Sequence, residues 1–213
     1  MQCFVARPQT CVIRRPYESA KRVFDVAICL FLLPLLAPVM ALCAVLIWVD
    51  DPGPVMFLQW RTGRGGRRFL MFKFRTMYTN AAELKSQYKH LNELTWPDFK
   101  ITDDPRVTRV GRVLRKTSLD ELPQIVNVLR GEMSLVGPRP TSFEAETYAL
   151  WQTERLEVSP GVTGLWQIRG RSDVDFDERT RLDIEYIHCR SLWLDARILL
   201  ATVGAVLSRR GAY

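Results

Sequence analysis

Two adjacent carboxylates, Asp120 and Glu121, follow Ser118-Leu119 and precede the apolar positions Leu122, Ile125, Val126 and Leu129. That order reads as a helix start. Ser118 and Glu121 have the S-x-x-E spacing of a capping box, and Gly131 stands where the chain would leave the helix. Carboxylates in a first turn stabilise a helix through its dipole, which is the plain reading of the pair. The same placement can also do chemistry. A helix N-terminus keeps Asp120 ionised and offers backbone donors to a phosphate. An ionised carboxylate can attack phosphorus and form an acyl phosphate, and its neighbour can bind a divalent metal or move a proton.

Basic residues recur around this pair. Lys73 and Arg75 fall on an expected strand, Arg115 just ahead of the carboxylates, Arg139 between Pro138 and Pro140, and Arg169 and Arg171 beside Gly170. Each alone is an ordinary solvated charge. Arg139 stands apart, because flanking prolines restrict its backbone and preorganise its fork for phosphate oxygens. Asp173-Val174-Asp175 matches the DxD triplet of sugar-nucleotide enzymes, but as a calcium loop the segment fails: Glu178 and Ile184 occupy the positions that need Gly and Glu. Asp103-Asp104 before Pro105 reads as a turn, and His188 as structural. Thr62 to Arg67 lacks the spacing of a phosphate-binding loop.

The elements that must position these groups begin with Val26–Val49, 24 residues without a charge. That is long enough to cross a hydrocarbon core as a helix. Asp50-Asp51-Pro52 after it does not resemble a signal cleavage site. Pro34 and Pro38 predict a sharp kink or break, and arginines flank the segment on both sides, so a helix that enters and returns to the same face competes with a kinked spanning helix. Strands are expected over Val55–Arg61 and Arg68–Met77 around a glycine turn. Helices are expected from Asn80 to Leu94, over Val107–Lys116, from Ser118 to the Gly131 cap, over Ser142–Leu156 and over Leu182–His188, with Pro160–Gly164 as a turn. Leu192–Leu207 reads as an interfacial helix with Trp193 at headgroup depth. The 213 residues are 47% apolar and 25% charged, which excludes a disordered chain. The formal charge of +7 points to an anionic partner. Cysteines at 3, 11, 29, 43 and 189 form no CxxC pair, so a disulfide scaffold and a structural zinc are not expected.

Several segments together resemble one family: Lys21-Arg22-Val23-Phe24-Asp25, Lys73-Phe74-Arg75-Thr76-Met77, Thr117–Gln124, Asn127–Pro140 and Pro160-Gly161-Val162-Thr163-Gly164. From Lys21 onward the chain is similar to the bacterial sugar transferases, the monotopic polyprenyl-phosphate phosphoglycosyl transferases, in their minimal catalytic form. The resemblance implies transfer of a sugar 1-phosphate from a UDP-sugar to polyprenyl (undecaprenyl) phosphate, with release of UMP. This step initiates a surface glycan at the cytoplasmic face of the bacterial inner membrane. It implies Asp120 as the nucleophile that becomes phosphoglycosylated, Glu121 as general base or organiser of Mg²⁺ with Asp120, and Lys73, Arg115, Arg139 and Arg171 around the phosphates. Arg75 shares the strand of Lys73. It also implies a re-entrant helix-break-helix with its break at Ala37-Pro38, where the family often has Ser-Pro.

The expected fold is α+β, mainly helical: residues 1–50 as tail and re-entrant helix, and residues 51–213 as a catalytic domain with a small hairpin and a C-terminal interfacial helix. The expected partners are UDP-sugar, polyprenyl phosphate and membrane lipid, with no nucleic acid; a homodimer is left open. Two alternatives stand beside this reading. One is a non-enzymatic, membrane-anchored basic module binding anionic lipid or nucleic acid. The other is an ordinary glycosyl transferase using Asp173 and Asp175, which would release UDP.

Overall fold

The computed structural model describes residues 15–84, 86–93, 101–169 and 175–207. The apolar stretch lies inside one helix, α1 (Arg15–Asp50), which continues through Pro34 and Pro38. Each proline deletes a single backbone donor, and the turns on either side carry the helix across, so no break in secondary structure appears. Both halves of α1 pack on the same body. Cys29, Leu33 and Leu36 join Phe69, Met71, Ile125, Val128 and Met133 in one core. Cys43, Ile47 and Val39 join Phe74 and Leu114 in another.

Both ends are also bonded to that body. Near the start, Arg22 donates to the carbonyls of Val128 and Leu129, where a cation offsets the exposed acceptors of a helix C-terminus. At the far end, the Asp50 carboxylate accepts from the Val110 amide at 3.0 Å. The remaining face of α1 is apolar and uncovered, with Phe31 83% exposed and Leu35, Leu42 and Trp48 more than half exposed.

Strands β1 (Met56–Thr62) and β2 (Arg68–Phe74) form the expected antiparallel hairpin, in register from Met56↔Phe74 to Thr62↔Arg68. Gly65 and Gly66 supply the positive φ angles of its turn, 64° and 77°. The second strand stops at Phe74, three residues short of expectation, where Arg75 turns inward to Asp51. The helix expected from Asn80 is instead a single turn, α2 (Ala81–Leu84), and a later 3-10 turn, Lys89–Leu91; Leu94 lies outside the described residues. Helix α3 (Arg109–Thr117) begins two residues later than expected, because Thr108 caps it with an Oγ1 that accepts from the Gly111 amide at 2.9 Å.

The expected capping box is absent. Ser118 closes α3 in the left-handed region (φ 56°), makes no side-chain cap bond, and leads into a 3-10 turn, Leu119–Glu121. Helix α4 (Gln124–Arg130) starts only after Pro123 and ends, as expected, at Gly131. Asn127 stitches α4 to β2: it accepts from the Phe72 amide at 2.9 Å and donates to the Leu70 carbonyl at 2.7 Å, completing that strand's free edge.

Beyond α4 comes β3 (Ser134–Val136). The helix expected over Ser142–Leu156 is instead two 3-10 segments, Ala145–Thr147 and Leu150–Glu157. The expected turn at Pro160–Gly164 is a strand, β4 (Gly161–Thr163), paired parallel to β3. Short parallel pairing leaves no periodic apolar signal to read. Helices α5 (Leu165–Arg169), α6 (Phe176–Cys189) and α7 (Leu192–Leu207) complete the described chain. Asp195, which interrupts the apolar run of α7, is fully buried and accepts from Tyr17, Lys21 and Tyr186 at 2.7–2.9 Å. The opposite face of α7 carries Trp193 and Leu200, about three-quarters exposed.

The two loops that meet at β3 and β4 touch backbone to backbone. A Cβ on Gly161 would stand under 3.0 Å from the Gly137 backbone, and one on Gly137 would meet the Ser159 carbonyl. Gly161→Ala is therefore expected to destabilise the protein by about 1–3 kcal/mol, as overpacking does. Gly204→Ala, in open space on α7, should be neutral or stabilising by up to about 1 kcal/mol. Thermal melts of the two variants in one detergent check the contrast.

Candidate active site

Glu121 sits where three elements meet. The 3-10 turn carries it, β2 brings Lys73, and the loop after β3 brings Arg139. Lys73 Nζ donates to Glu121 Oε1 at 2.7 Å, and Arg139 donates to both carboxylate oxygens, through Nη2 to Oε1 and through Nη1 to Oε2 at 3.3 Å. Asp120, one residue earlier on the same tight turn, has no hydrogen bond or ion pair among the described residues and faces an open cleft of about 930 Å³.

The two carboxylates are thereby set apart. Burial pushes Glu121 up, but Arg139 and Lys73 together outweigh it and hold the group far below the usual carboxylate range. Burial pushes Asp120 up as well, and although Lys73 opposes this, the negative Glu121 reinforces it, so the net shift is upward. One carboxylate is held by two cations and favours its charged form. The other is half-buried, unpaired and able to change partner.

The supports of this geometry are local and specific. Lys73 is positioned by β2, which Asn127 ties to α4. Arg139 is positioned by the β3–β4 clasp, where the Gly137 amide donates to the Thr163 carbonyl and the Gly161 amide to the Pro138 carbonyl, both at 2.9 Å. Arg155, buried against Asp183 at 2.6 Å, also donates to the Arg139 carbonyl at 2.9 Å. Arg115 reaches the cleft from α3, with its Nε donating to Thr76 Oγ1 at 2.9 Å.

Of the residues singled out from sequence, Asp120, Glu121, Lys73, Arg75, Arg115 and Arg139 all line one cleft. Arg75 faces it but is committed to Asp51, through the carboxylate at 3.1 Å and through the backbone carbonyl. Arg169 is instead exposed and paired with Glu185. Arg171 and Asp173 lie outside the described residues, and Asp175 caps α6 by accepting from the Glu178 amide at 2.7 Å. His188 pairs with Glu154. Ala37 and Pro38 lie within continuous helix. No local pattern marks Arg155 as part of the site, nor Arg61, which lies beside Arg139 and donates to the Pro140 carbonyl. Their partners stand 16 and 79 residues away, beyond any local pattern.

No three His, Cys, Asp or Glu side chains cluster as a metal cage among the described residues. A divalent ion would meet one uncommitted carboxylate, Asp120, since Glu121 Oε1 accepts from both Lys73 and Arg139 and Oε2 from Arg139. That donor set suits Mg²⁺ when phosphate oxygens supply the other positions.

Comparison with known proteins places the chain among relatives of one family. The family model described as bacterial sugar transferase matches residues 16–209. The undecaprenyl-phosphate galactose phosphotransferase of Salmonella typhimurium is 41% identical over 220 residues, covering 100% of this chain and 45% of the relative. The UDP-glucose:undecaprenyl-phosphate glucose-1-phosphate transferase of Caulobacter vibrioides is 41% identical over 223 residues, covering 100% of this chain and 79% of the relative. The exopolysaccharide production protein ExoY of Sinorhizobium fredii is 41% identical over 215 residues, covering 99% and 95%. The chain spans less than half the length of several curated relatives that it matches.

The clamp on Glu121 makes a pH-dependent statement. A carboxylate held below its ordinary value of 4.5 contributes stability present above that pH and lost as pH falls through the folded value. Lys73→Met should lower stability at neutral pH by about 1–3 kcal/mol, and the gap to wild type should narrow below pH 4.5. Thermal melts across that range check it.

Proposed function

Because the chain belongs to the bacterial sugar transferase family, we propose that it is a phosphoglycosyl transferase that moves a hexose 1-phosphate from a UDP-hexose onto polyprenyl phosphate and releases UMP. The observation that carries this reading is the division of labour in the dyad. Asp120 is an unpaired carboxylate in a cationic cleft, and Glu121 is fixed between Lys73 and Arg139.

In the proposed reaction an Asp120 oxygen attacks the β-phosphorus of the donor. The bond from that phosphorus to the bridging oxygen breaks, and its electron pair leaves on UMP. An oxygen of polyprenyl phosphate then attacks the same phosphorus and returns the Asp120 carboxylate. Lys73, Arg115 and Arg139 offset charge on the phosphate oxygens; the Glu121 clamp orients Lys73 and Arg139, and Thr76 orients Arg115, before substrate arrives. Glu121 positions these cations; a group so firmly ionised and doubly bonded is a poor general base. Mg²⁺, held by Asp120 and the diphosphate oxygens, would polarise the diphosphate. A plain lipid- or nucleic-acid-binding module would have no use for an unpaired carboxylate among the cations of the cleft, whereas covalent transfer needs one. The names of the relatives divide between galactose and glucose, and the proposal stops at a hexose.

The second substrate carries a lipid tail, and the uncovered apolar faces of α1 and α7 suit a lipid surface. We further propose that α1 is re-entrant, with both ends at the cytoplasmic face of the inner membrane. The bonds of Arg22 and Asp50 to the same body support this, because a helix crossing the bilayer would put its ends on opposite sides.

Asp120→Asn should lose protein labelling by a donor radiolabelled at the β-phosphate, and turnover should fall by at least about 10³-fold with the fold intact. Since only ionised Asp120 attacks, the wild-type rate should fall with acid through a pKa above 3.8, the ordinary aspartate value. Release of UDP instead of UMP would sink the assignment. For the topology, cysteines placed at Ser19 and Pro52 should both resist an impermeant maleimide in intact spheroplasts and react after lysis. One reactive and one protected site would show a crossing helix.

A further inference from the structure

The cleft that exposes Asp120 has a second wall, which the phosphate chemistry does not use. It is built from Thr163 at the end of β4, Trp166 and Gln167 on α5, and Thr202 on α7. Unlike the cationic floor, this wall offers acceptors. Gln167 Oε1 is buried and has no hydrogen-bond partner among the described residues. Thr202 Oγ1 donates to the Ile198 carbonyl at 2.8 Å, and its 2.8 Å contact with Thr163 Oγ1 then takes the Thr163 proton. Both hydroxyl hydrogens are spent inside the protein. Gln167 lines the cleft beside the Trp166 indole, with the Arg179 guanidinium 5.5 Å from the ring centre.

A buried acceptor without a partner costs free energy unless a ligand satisfies it. The partner must bring a donor, must be neutral, and must share a cleft with the diphosphate. A hexose hydroxyl would meet one atom of the Gln167 carboxamide at a time. The uracil imide is different. Its N–H is donor-only, it lies between two carbonyls in one plane, and a carboxamide is its geometric complement. Trp166 supplies a flat face beside it.

Resting on the reading of the cleft as a UDP-hexose site, we propose that Gln167 reads the uracil ring of the donor nucleotide. Its Oε1 accepts from the imide N–H and its Nε2 donates to an adjacent carbonyl, with the base against Trp166.

The test uses the full chain in detergent, Gln167→Met as a near-isosteric variant, and radiolabelled UMP in equilibrium dialysis. The variant should melt at or above the wild-type temperature without ligand, because an unsatisfied acceptor has been removed. Its Kd for UMP should rise at least about tenfold, and its turnover ratio between UDP-glucose and UDP-galactose should match wild type. Unchanged UMP affinity overturns the assignment. A shifted glucose-to-galactose ratio with UMP binding intact also overturns it, giving the wall to the hexose while leaving the proposed reaction standing. A wild-type protein that binds no UMP overturns both. Should Gln167→Met fail to fold, Gln167→Asn, which withdraws the carboxamide by one methylene, must show the same loss of UMP affinity.

Discussion

The site depends on one shared carboxylate. Glu121 accepts from Lys73 and Arg139 at once, joining two segments that are also tied further along by the Thr62 amide donating to the Thr141 carbonyl at 2.9 Å. Remove the negative charge and two cations face one another across a partly buried gap. With it in place, each is held where a phosphate oxygen could reach it, and neither has to be ordered when substrate binds. The arrangement also frees Asp120, because the cations nearest it are already spoken for.

Behind the clamp lies a chain of buried polar supports. Asp195 gathers Tyr17 and Lys21 from α1 and Tyr186 from α6. Asp25, a turn beyond Lys21, accepts from Ser134 at 2.7 Å, and Ser134 opens the strand that leads to Arg139. Buried charges of this kind are weak sources of net stability, since desolvation cancels much of the attraction. They do specify geometry: α1, α7 and the Arg139 loop cannot shift independently without leaving a charge unpaired in the interior.

Much of this could be read in the sequence, but not all for the same reason. Elements with their own local signal stood out. Leu192–Leu207 matches its helix bounds, Gly131 ends α4, and the hairpin turn needs its glycines. Asp120, Glu121, Lys73 and Arg139 were likewise visible as residues. What misled was a local rule overridden by tertiary bonds. Ser118 and Glu121 have capping-box spacing, yet Glu121 finds two cations and Ser118 ends the helix before it. The β3–β4 pair was invisible because three-residue strands have no period, and its glycines looked like a turn when they were spacers for touching backbones. The acceptor wall was invisible too, since an orphaned oxygen is a property of packing rather than of residue type.

One consequence follows from the mooring of α1 at both ends. An ordinary spanning helix must fit its greasy length to the local hydrocarbon slab, and mismatch is relieved by tilt or by deforming the lipid. A helix fastened twice to a single body has no such length to fit. What it must match is depth: how far its uncovered flank, with Phe31 and Trp48, sinks before the charged shoulders of the body meet the headgroups. On the proposed re-entrant topology, such an anchor is insensitive to slab thickness and sensitive to the packing of one leaflet.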